Sequence, residues 1–315
     1  MADASPATPA SAAADAGESA RAEAEIAALA ADESLAALAA DAAQISPGDA
    51  LLAKALRRLG LCKLIARSAA GVRQAAVHHT HALLDITYVL ELALVEGGFA
   101  DAAATGRVAA SLATVEPRAA RLAAAWGGAA GAAAGAGGAA AAPMQEWLGR
   151  ELAEVVQWRR GAFSYMRAGT AMRGAADDGG AAAALAAAGV GRGSVEEGLA
   201  QLGAMLDSAA ASGEAATVGS DDAATVAMVA AGALSDVHML AFMYAGELGC
   251  WAWHAYEAGV PSAQSELAAA SAQRLRQLLG VLKVMAESDS ALNQDCARSW
   301  DTSRAREILA VYDDR

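Results

Sequence analysis

Apolar residues recur at steps of three and four positions along most of the chain, which is the spacing of one face of an α-helix. The main helical segments predicted from this pattern are 21–44, about 50–70, 72–96, 99–115, 143–172, 195–211, about 222–257 and 265–285. A short last helix is predicted near 303–312. No segment alternates between apolar and polar residues for long enough to predict a strand. The pattern therefore predicts an all-α fold, an irregular helical bundle or short α-solenoid of about seven or eight helices.

The longest continuous apolar face follows Ser220-Asp221-Asp222, a polar group of the kind that caps helices. This face is predicted to run for seven turns to Trp251, carrying Val226, Val229, Ala233, Val237, Leu240, Tyr244 and Leu248. Val260-Pro261 then breaks the pattern. A comparable face within 72–96 carries Val77, Leu84, Tyr88, Leu92 and Val95. Both faces are predicted to point into a core.

Segments of low complexity divide the chain into predicted domains. The run 127–142 contains only glycine and alanine and is predicted to be a linker. We expect a disordered leader over 1–20, an N-terminal helical part over 21–126, and a C-terminal helical part over 143–315 that packs on the first. A second flexible run, rich in alanine and glycine, is predicted between 174 and 194.

Composition indicates how the protein completes its burial. Hydrophobic residues make up 56% of the chain but aromatic residues only 4%, because alanine dominates. Alanine favours helix yet buries little surface. Helices with such small side chains often complete their burial at an interface, which favours a protein partner or a homo-oligomer.

Charge restricts the class of partner. The net charge of −13 makes nucleic-acid binding an unfavourable interpretation, since phosphates require a basic surface. One segment differs from the rest: it holds six cations and no acid within twenty residues, namely Lys54, Arg57, Arg58, Lys63, Arg67 and Arg73. Helix 51–73 could therefore contact a membrane surface, although Lys54 and Arg58 project to one side and Lys63 and Arg67 nearly to the other. No transmembrane segment is predicted, because Asp236 and His238 interrupt the longest apolar stretch.

Two clusters could bind a metal or small molecule. On a helix, His78, His81 and Asp85 share one face, and Glu247, Cys250 and His254 form a comparable group. The Glu-x-x-His signature of di-iron bundles is absent. We interpret these residues as ordinary helix positions and predict no cofactor or metal, keeping a metal- or small-molecule-binding bundle as an alternative.

Catalytic signatures do not occur in the sequence. It has neither a Gly-x-Ser-x-Gly nucleophile motif nor a phosphate-binding loop, and we interpret Asp221-Asp222 as a helix cap rather than a carboxylate pair. Three irregularly spaced cysteines, Cys62, Cys250 and Cys296, suggest no disulfide framework. We therefore predict a non-enzymatic protein in a reducing intracellular compartment, the cytoplasm.

Five of the fourteen aromatic residues lie within fifteen positions: Phe242, Tyr244, Trp251, Trp253 and Tyr256. Since Trp251 extends the predicted core face, Trp253 or Tyr256 must point elsewhere. Either neighbouring helices surround this helix on all sides, or the exposed aromatic side chains form a binding hot spot for a protein partner. Trp253, Tyr256, Arg57 and Arg58 are thus the predicted partner-binding residues. The sequence as a whole favours a helical scaffold or complex subunit that binds a protein partner through helical faces.

Overall fold

The structure, a computed structural model, describes residues 9–65, 68–126, 141–174, 180–211, 229, 234–257 and 259–313. All regular secondary structure in these ranges is helical, which confirms the predicted all-α class. The chain forms two compact units, and each is described by itself. The first unit comprises 1–93 and 104–153, and the second comprises 94–103 and 154–315.

Seven helices belong mainly to the first unit. They are α1 (Pro9–Ala30), α2 (Glu33–Ile45), α3 (Ala50–Cys62), α4 (Ala69–Glu96), α5 (Ala102–Ala113), α6 (Val115–Trp126) and α7 (Ala141–Leu148). Aspartates start two of them: the Asp32 carboxylate accepts a hydrogen bond from the Leu35 amide, and Asp49 accepts from Leu51 and Leu52. Because Asp32 caps a new helix, the segment predicted as one helix over 21–44 is two helices.

The second unit contains the remaining described helices. They are α8 (Arg150–Gly174), α9 (Ala181–Ala187), α10 (Arg192–Ala211), α11 (Asp236–Tyr256), a 3-10 turn (Ser262–Gln264), α12 (Glu266–Glu287), α13 (Ala291–Ser299) and α14 (Ser303–Asp313). Helix α11 packs closely along α12. A Cβ atom at Gly246 would overlap the side chain of Leu275, so glycine is required there for the two backbones to approach.

Helix α7 lies in a different part of the protein from the one that the sequence predicts. The sequence places everything from 143 onward in the C-terminal part, whereas α7 belongs to the first unit. Its Trp147 ring lies 5.9 Å from that of Trp126 on α6, and the Trp147 carbonyl accepts a hydrogen bond of 3.2 Å from Arg73 Nε on α4. These contacts, with Met144 fully buried, attach α7 to the helices before the predicted linker.

Two helices also begin at other residues than the sequence predicts. Residues 9–20, which were predicted within the disordered leader, are part of helix α1. The long helix predicted from about 222 begins instead at Asp236, after the non-helical residues Leu234 and Ser235. His238 fixes this start, since its Nδ1 accepts a hydrogen bond of 3.1 Å from the Ser235 amide. Asp221-Asp222 lies outside the described residues.

Only part of the predicted face of α4 is buried: Leu84 is 5% exposed and Val77 is partly buried. Tyr88, Leu92 and Val95 are 44%, 49% and 38% exposed. A different set at similar spacing is buried, namely Val72, Ala75, Ala76, His79, Leu83, Ile86 and Leu90. His79 is the one polar member of this set, and α4 is buried over more than one face, so no single apolar stripe identifies its core contacts.

His79 is buried because two partners satisfy its ring. Its Nε2 lies 3.1 Å from Asp32 Oδ2 on the loop before α2, and its Nδ1 lies 2.8 Å from a guanidinium nitrogen of Arg118 on α6. Arg118 also donates a hydrogen bond of 3.0 Å to the same Asp32 oxygen. A neutral ring protonated on Nε2 suits both contacts, since Nδ1 then accepts from Arg118 while Nε2 donates to Asp32.

We call His79, Asp32 and Arg118 the His79 triad. The protonation of His79 and Asp32 depends on their surroundings in the fold. Burial lowers the pKa of His79, and the neighbouring Arg118 lowers it further. The hydrogen bond from His79 holds the pKa of the Asp32 carboxyl well below its usual range. Both groups therefore bind protons more readily in the unfolded chain, so the free energy of unfolding falls as the pH falls. The His79 contribution decreases below about pH 6.5 and the Asp32 contribution below about pH 4.

We predict that replacing His79 by glutamine reduces this pH dependence. Between pH 7.5 and 5.5 the His79 ring of the wild-type protein should account for a loss of about 1 kcal/mol in the free energy of unfolding, because the unfolded chain gains the proton. Urea denaturation at the two pH values measures the difference. The neighbouring His78→Gln variant is the control, since it leaves His79 in place. Equal pH dependence in His79→Gln and wild type would contradict a buried neutral ring.

Candidate protein-binding surface

Four aromatic rings stack along the contact between α8 and α11. Tyr165 lies nearly parallel to Tyr244, with ring centroids 3.7 Å apart and planes at 8°. Trp158 lies 5.3 Å from Tyr244 on one side, and Trp251 lies 5.3 Å from Tyr165 on the other. We call this stack of Trp158, Tyr244, Tyr165 and Trp251 the aromatic ladder. All four side chains are partly exposed.

Helical spacing explains the ladder. Trp158 and Tyr165 are seven residues apart on α8, as are Tyr244 and Trp251 on α11, so each pair lies on one helix face. The rings alternate between helices in order of increasing residue number. The two helices therefore run in the same direction along this contact.

The ladder connects two groups of buried side chains in the second unit. Trp158 and Tyr244 pack on the larger group, which includes Phe242, Leu275 and Ile308. Tyr165 and Trp251 pack on the smaller group, which includes Leu185, Val190, Val195 and Leu248. The rings thus stabilise the unit while leaving part of their surface accessible.

A buried carboxylate fixes the orientation of the ladder. Glu247, one turn after Tyr244, is 7% exposed and accepts a hydrogen bond of 2.6 Å from the Tyr165 hydroxyl. Arg304 of α14 places its Nε 3.6 Å from the other Glu247 oxygen. Burial and the bond to Glu247 raise the pKa of Tyr165 well above its usual range, and burial raises that of Tyr244. Both hydroxyls therefore keep their protons at physiological pH.

Exposed valines continue the ladder at one end. Val155 precedes Trp158 by one turn of α8 and is 44% exposed, and Val237 precedes Tyr244 by two turns of α11 and is 37% exposed. Because the helices run in the same direction, both valines lie toward the Trp158 end. We call Val155, Trp158, Val237 and Tyr244 the ladder end. It is an accessible surface of the kind that proteins use to bind one another.

The structure separates the predicted binding residues and corrects one of them. Trp253 is only 2% exposed: its Nε1–H donates to the Val260 carbonyl at 3.1 Å, and its ring lies 5.3 Å from that of Tyr312. It is a core residue because α11 is surrounded on several sides. Tyr256 is half-buried, and its hydroxyl donates to the Val190 carbonyl at 2.8 Å.

Arg57 and Arg58 both lie on α3 in the first unit. Arg57 is exposed, whereas Arg58 is partly buried and forms an ion pair with Asp85 of α4. Neither lies in the same unit as the aromatic ladder. Sequence reasoning missed the ladder itself, although the repeated spacing of seven between aromatic residues on both helices was a usable signal.

The proposed metal clusters have other interactions. Asp85 pairs with Arg58, and Glu247 bonds to Tyr165. Burial and the nearby Arg58 charge lower the pKa of His81, and burial raises the pKa of Cys250. Within the described ranges, no three histidine, cysteine or acidic side chains come close enough together to hold a metal ion. The helices in those ranges also include none with the length and apolarity needed to cross a membrane.

An all-α fold with an accessible aromatic surface is typical of helical proteins that bind partners. The chain belongs to the family described as RAB7A-interacting MON1-CCZ1 complex subunit 1, whose model matches residues 138–313, more than half of the chain. The match includes α7 to α14, and with them the whole aromatic ladder. It supports the prediction of a protein-binding complex subunit in its general form. Neither the curated proteins nor the solved structures that were compared give a match.

We predict that Trp253→Ala destabilises the second unit by about 3–5 kcal/mol, the usual cost of removing a buried tryptophan. Tyr256→Phe should cost only about 1 kcal/mol, since it removes one hydrogen bond and leaves the ring. Chemical denaturation followed by tryptophan fluorescence and circular dichroism measures both. A Trp253→Ala protein as stable as wild type would show that this ring is not in the core.

Proposed function

We propose that this chain is a non-catalytic subunit of a complex that contains counterparts of MON1 and CCZ1, and that it interacts with a RAB7A-like protein. The description of its family supports this proposal, because it names both the complex and the interacting protein. The ladder end lies within the segment that matches the family, and this position supports assigning the interaction to that surface.

The ladder end is suited to recognition because its rings are already fixed. Stacking and the Tyr165–Glu247 hydrogen bond restrict the aromatic side chains before any partner arrives. A surface ordered in advance loses less conformational entropy on binding. Tryptophan and tyrosine also contribute more to binding hot spots than other residue types.

The roles of two hydrogen-bonded carboxylates, Glu247 and Asp32, support a non-catalytic function. Glu247 orients Tyr165, and Asp32 caps a helix while binding His79 and Arg118. Each of these carboxylates has hydrogen-bond donors that the fold itself supplies. Their arrangement is accounted for by stability.

The cysteines support an intracellular location, as the sequence predicts. Cys62, Cys250 and Cys296 are all free thiols, and the first two are buried. Free thiols persist in reducing compartments. We therefore place the protein inside the cell, where its proposed partners would be found.

We predict that a charge at the ladder end prevents assembly. In Val155→Glu and Val237→Glu, a carboxylate would have to lose its water in the interface, so affinity should fall at least tenfold. The full chain carrying each change would be immobilised, and retention of the purified MON1 and CCZ1 counterparts and of the RAB7A-like protein measured separately. Val260→Glu is the matched control, since Val260 is 36% exposed and lies outside the ladder end.

If Val155→Glu and Val237→Glu both retained the partner proteins as well as the wild-type chain does, this placement of the interface would be contradicted. Failure of the unmodified chain to retain any of these proteins would contradict the proposed complex. Light scattering on the same variants tests the remaining alternative: a dimer that dissociates on Val155→Glu would assign the surface to a second copy of the chain.

A further inference from the structure

Helix α3, in the first unit, presents leucine side chains to solvent. Leu56 is 49% exposed, Leu61 is 43% exposed, and Leu64, just after the helix, is 81% exposed. The opposite side of the helix is in the core, where Leu52, Ala55 and Cys62 are buried. Exposed leucines so close together are unusual for a surface that contacts only water.

Cations lie on both sides of these leucines. Successive residues of a helix turn by about 100°, and Lys63 and Leu64 continue this winding just beyond α3, since the Leu64 amide donates to the Leu61 carbonyl at 2.9 Å. The exposed half therefore runs in angular order from Lys63 through Leu56, Gly60, Leu64, Arg57 and Leu61 to Lys54. Lys63 and Lys54 therefore mark the two margins of a leucine strip, and Arg57 lies within it. The sequence alone shows basic side chains on opposite sides of the helix, which argues against a single basic patch. Exposure shows that the lysines instead flank an apolar strip.

Few acids oppose these cations. Between Ala50 and Leu84 the chain has no aspartate or glutamate, although its net charge is −13. Asp85 is held by Arg58, which lies outside the strip, and the Asp49 carboxylate caps the start of α3. Glu23 of α1 shares a surface groove with Lys63. The strip is thus a local basic and apolar surface on an acidic protein.

We infer that this face of α3, made of Lys54, Leu56, Arg57, Leu61, Lys63 and Leu64, docks on an anionic lipid surface. An apolar strip with lysines at both margins is the arrangement of a helix that lies in the plane of a membrane interface. The leucines enter the acyl boundary, while the lysine side chains extend to the headgroups. Anionic headgroups complement the cations, and the negative remainder of the chain limits binding to this face.

An acidic protein helix is a less suitable occupant. It would need to match an apolar strip that contains Arg57, with acids placed against lysines at both margins. A lipid surface needs no such register, since headgroups and acyl chains rearrange around the side chains. The lipid interpretation also does not depend on the proposed complex, because α3 lies outside residues 138–313.

Flotation of the full chain with vesicles tests this inference. We expect binding to vesicles of phosphatidylcholine with about one third phosphatidylserine, little binding to phosphatidylcholine alone, and weaker binding as salt is added. Leu64→Glu should lower the partition coefficient about tenfold or more, since it removes an inserted leucine and adds repulsion. Lys54→Gln should lower it about fivefold. Leu292→Glu is the matched control, because Leu292 is 80% exposed on α13 in the second unit.

Equal flotation of Leu64→Glu and Leu292→Glu would overturn the inference, as would absence of binding to the anionic vesicles. Circular dichroism melts of the variants establish that each is folded. Light scattering without lipid tests whether a second copy of the chain or an acidic protein binds the strip instead. Dissociation of a dimer by Leu64→Glu would assign the strip to self-association, and binding of an acidic protein without any lipid binding would assign it to that protein. Either result would overturn the lipid assignment.

Discussion

The parallel stacking of Tyr165 on Tyr244 is the contact on which the second unit depends. Alanine- and glycine-rich helices approach closely but bury little apolar surface at each contact. Four rings on α8 and α11 add large apolar surface, and together with Leu199 and Leu267, which pack on both groups, they link the two groups of buried side chains. Because the rings are held at the edge of the core, the same contact that stabilises the unit also forms its accessible surface.

The first unit adds a buried polar network to an apolar core of large side chains that includes Leu35, Leu38 and Ile86. His79 of α4, Asp32 before α2 and Arg118 of α6 form a hydrogen-bonded triad that connects three segments far apart in the sequence. Each polar atom used there has a partner, which is the condition under which burial of such groups is tolerated. The exposed leucines of α3 lie in this unit, and the aromatic ladder lies in the other.

The sequence predicts the helical class well because the helix propensity of alanine and the spacing of apolar residues depend only on neighbouring positions in the chain. It also places the start of α3 near residue 50 correctly. The start of α11 was predicted wrongly, since Val237, Leu240 and Tyr244 continue the spacing of the residues before them, whereas the cap geometry of Ser235 and His238 is not visible in a hydrophobic pattern. The sequence leaves open whether Trp253 contacts neighbouring helices or a partner, because the number of helices around α11 is a tertiary property. Similarly, the ladder requires residues about 80 positions apart to align, which local spacing does not determine.

We propose that the ladder end recognises a partner protein, and hydrogen–deuterium exchange of the full chain, alone and with the purified MON1 and CCZ1 counterparts, is the direct test of this role. Binding at the ladder end should slow exchange in the backbone amides of 150–160 and 236–246, at the start of α8 and of α11. Protection confined to other helices, with these two segments unchanged in a complex that does form, would contradict it.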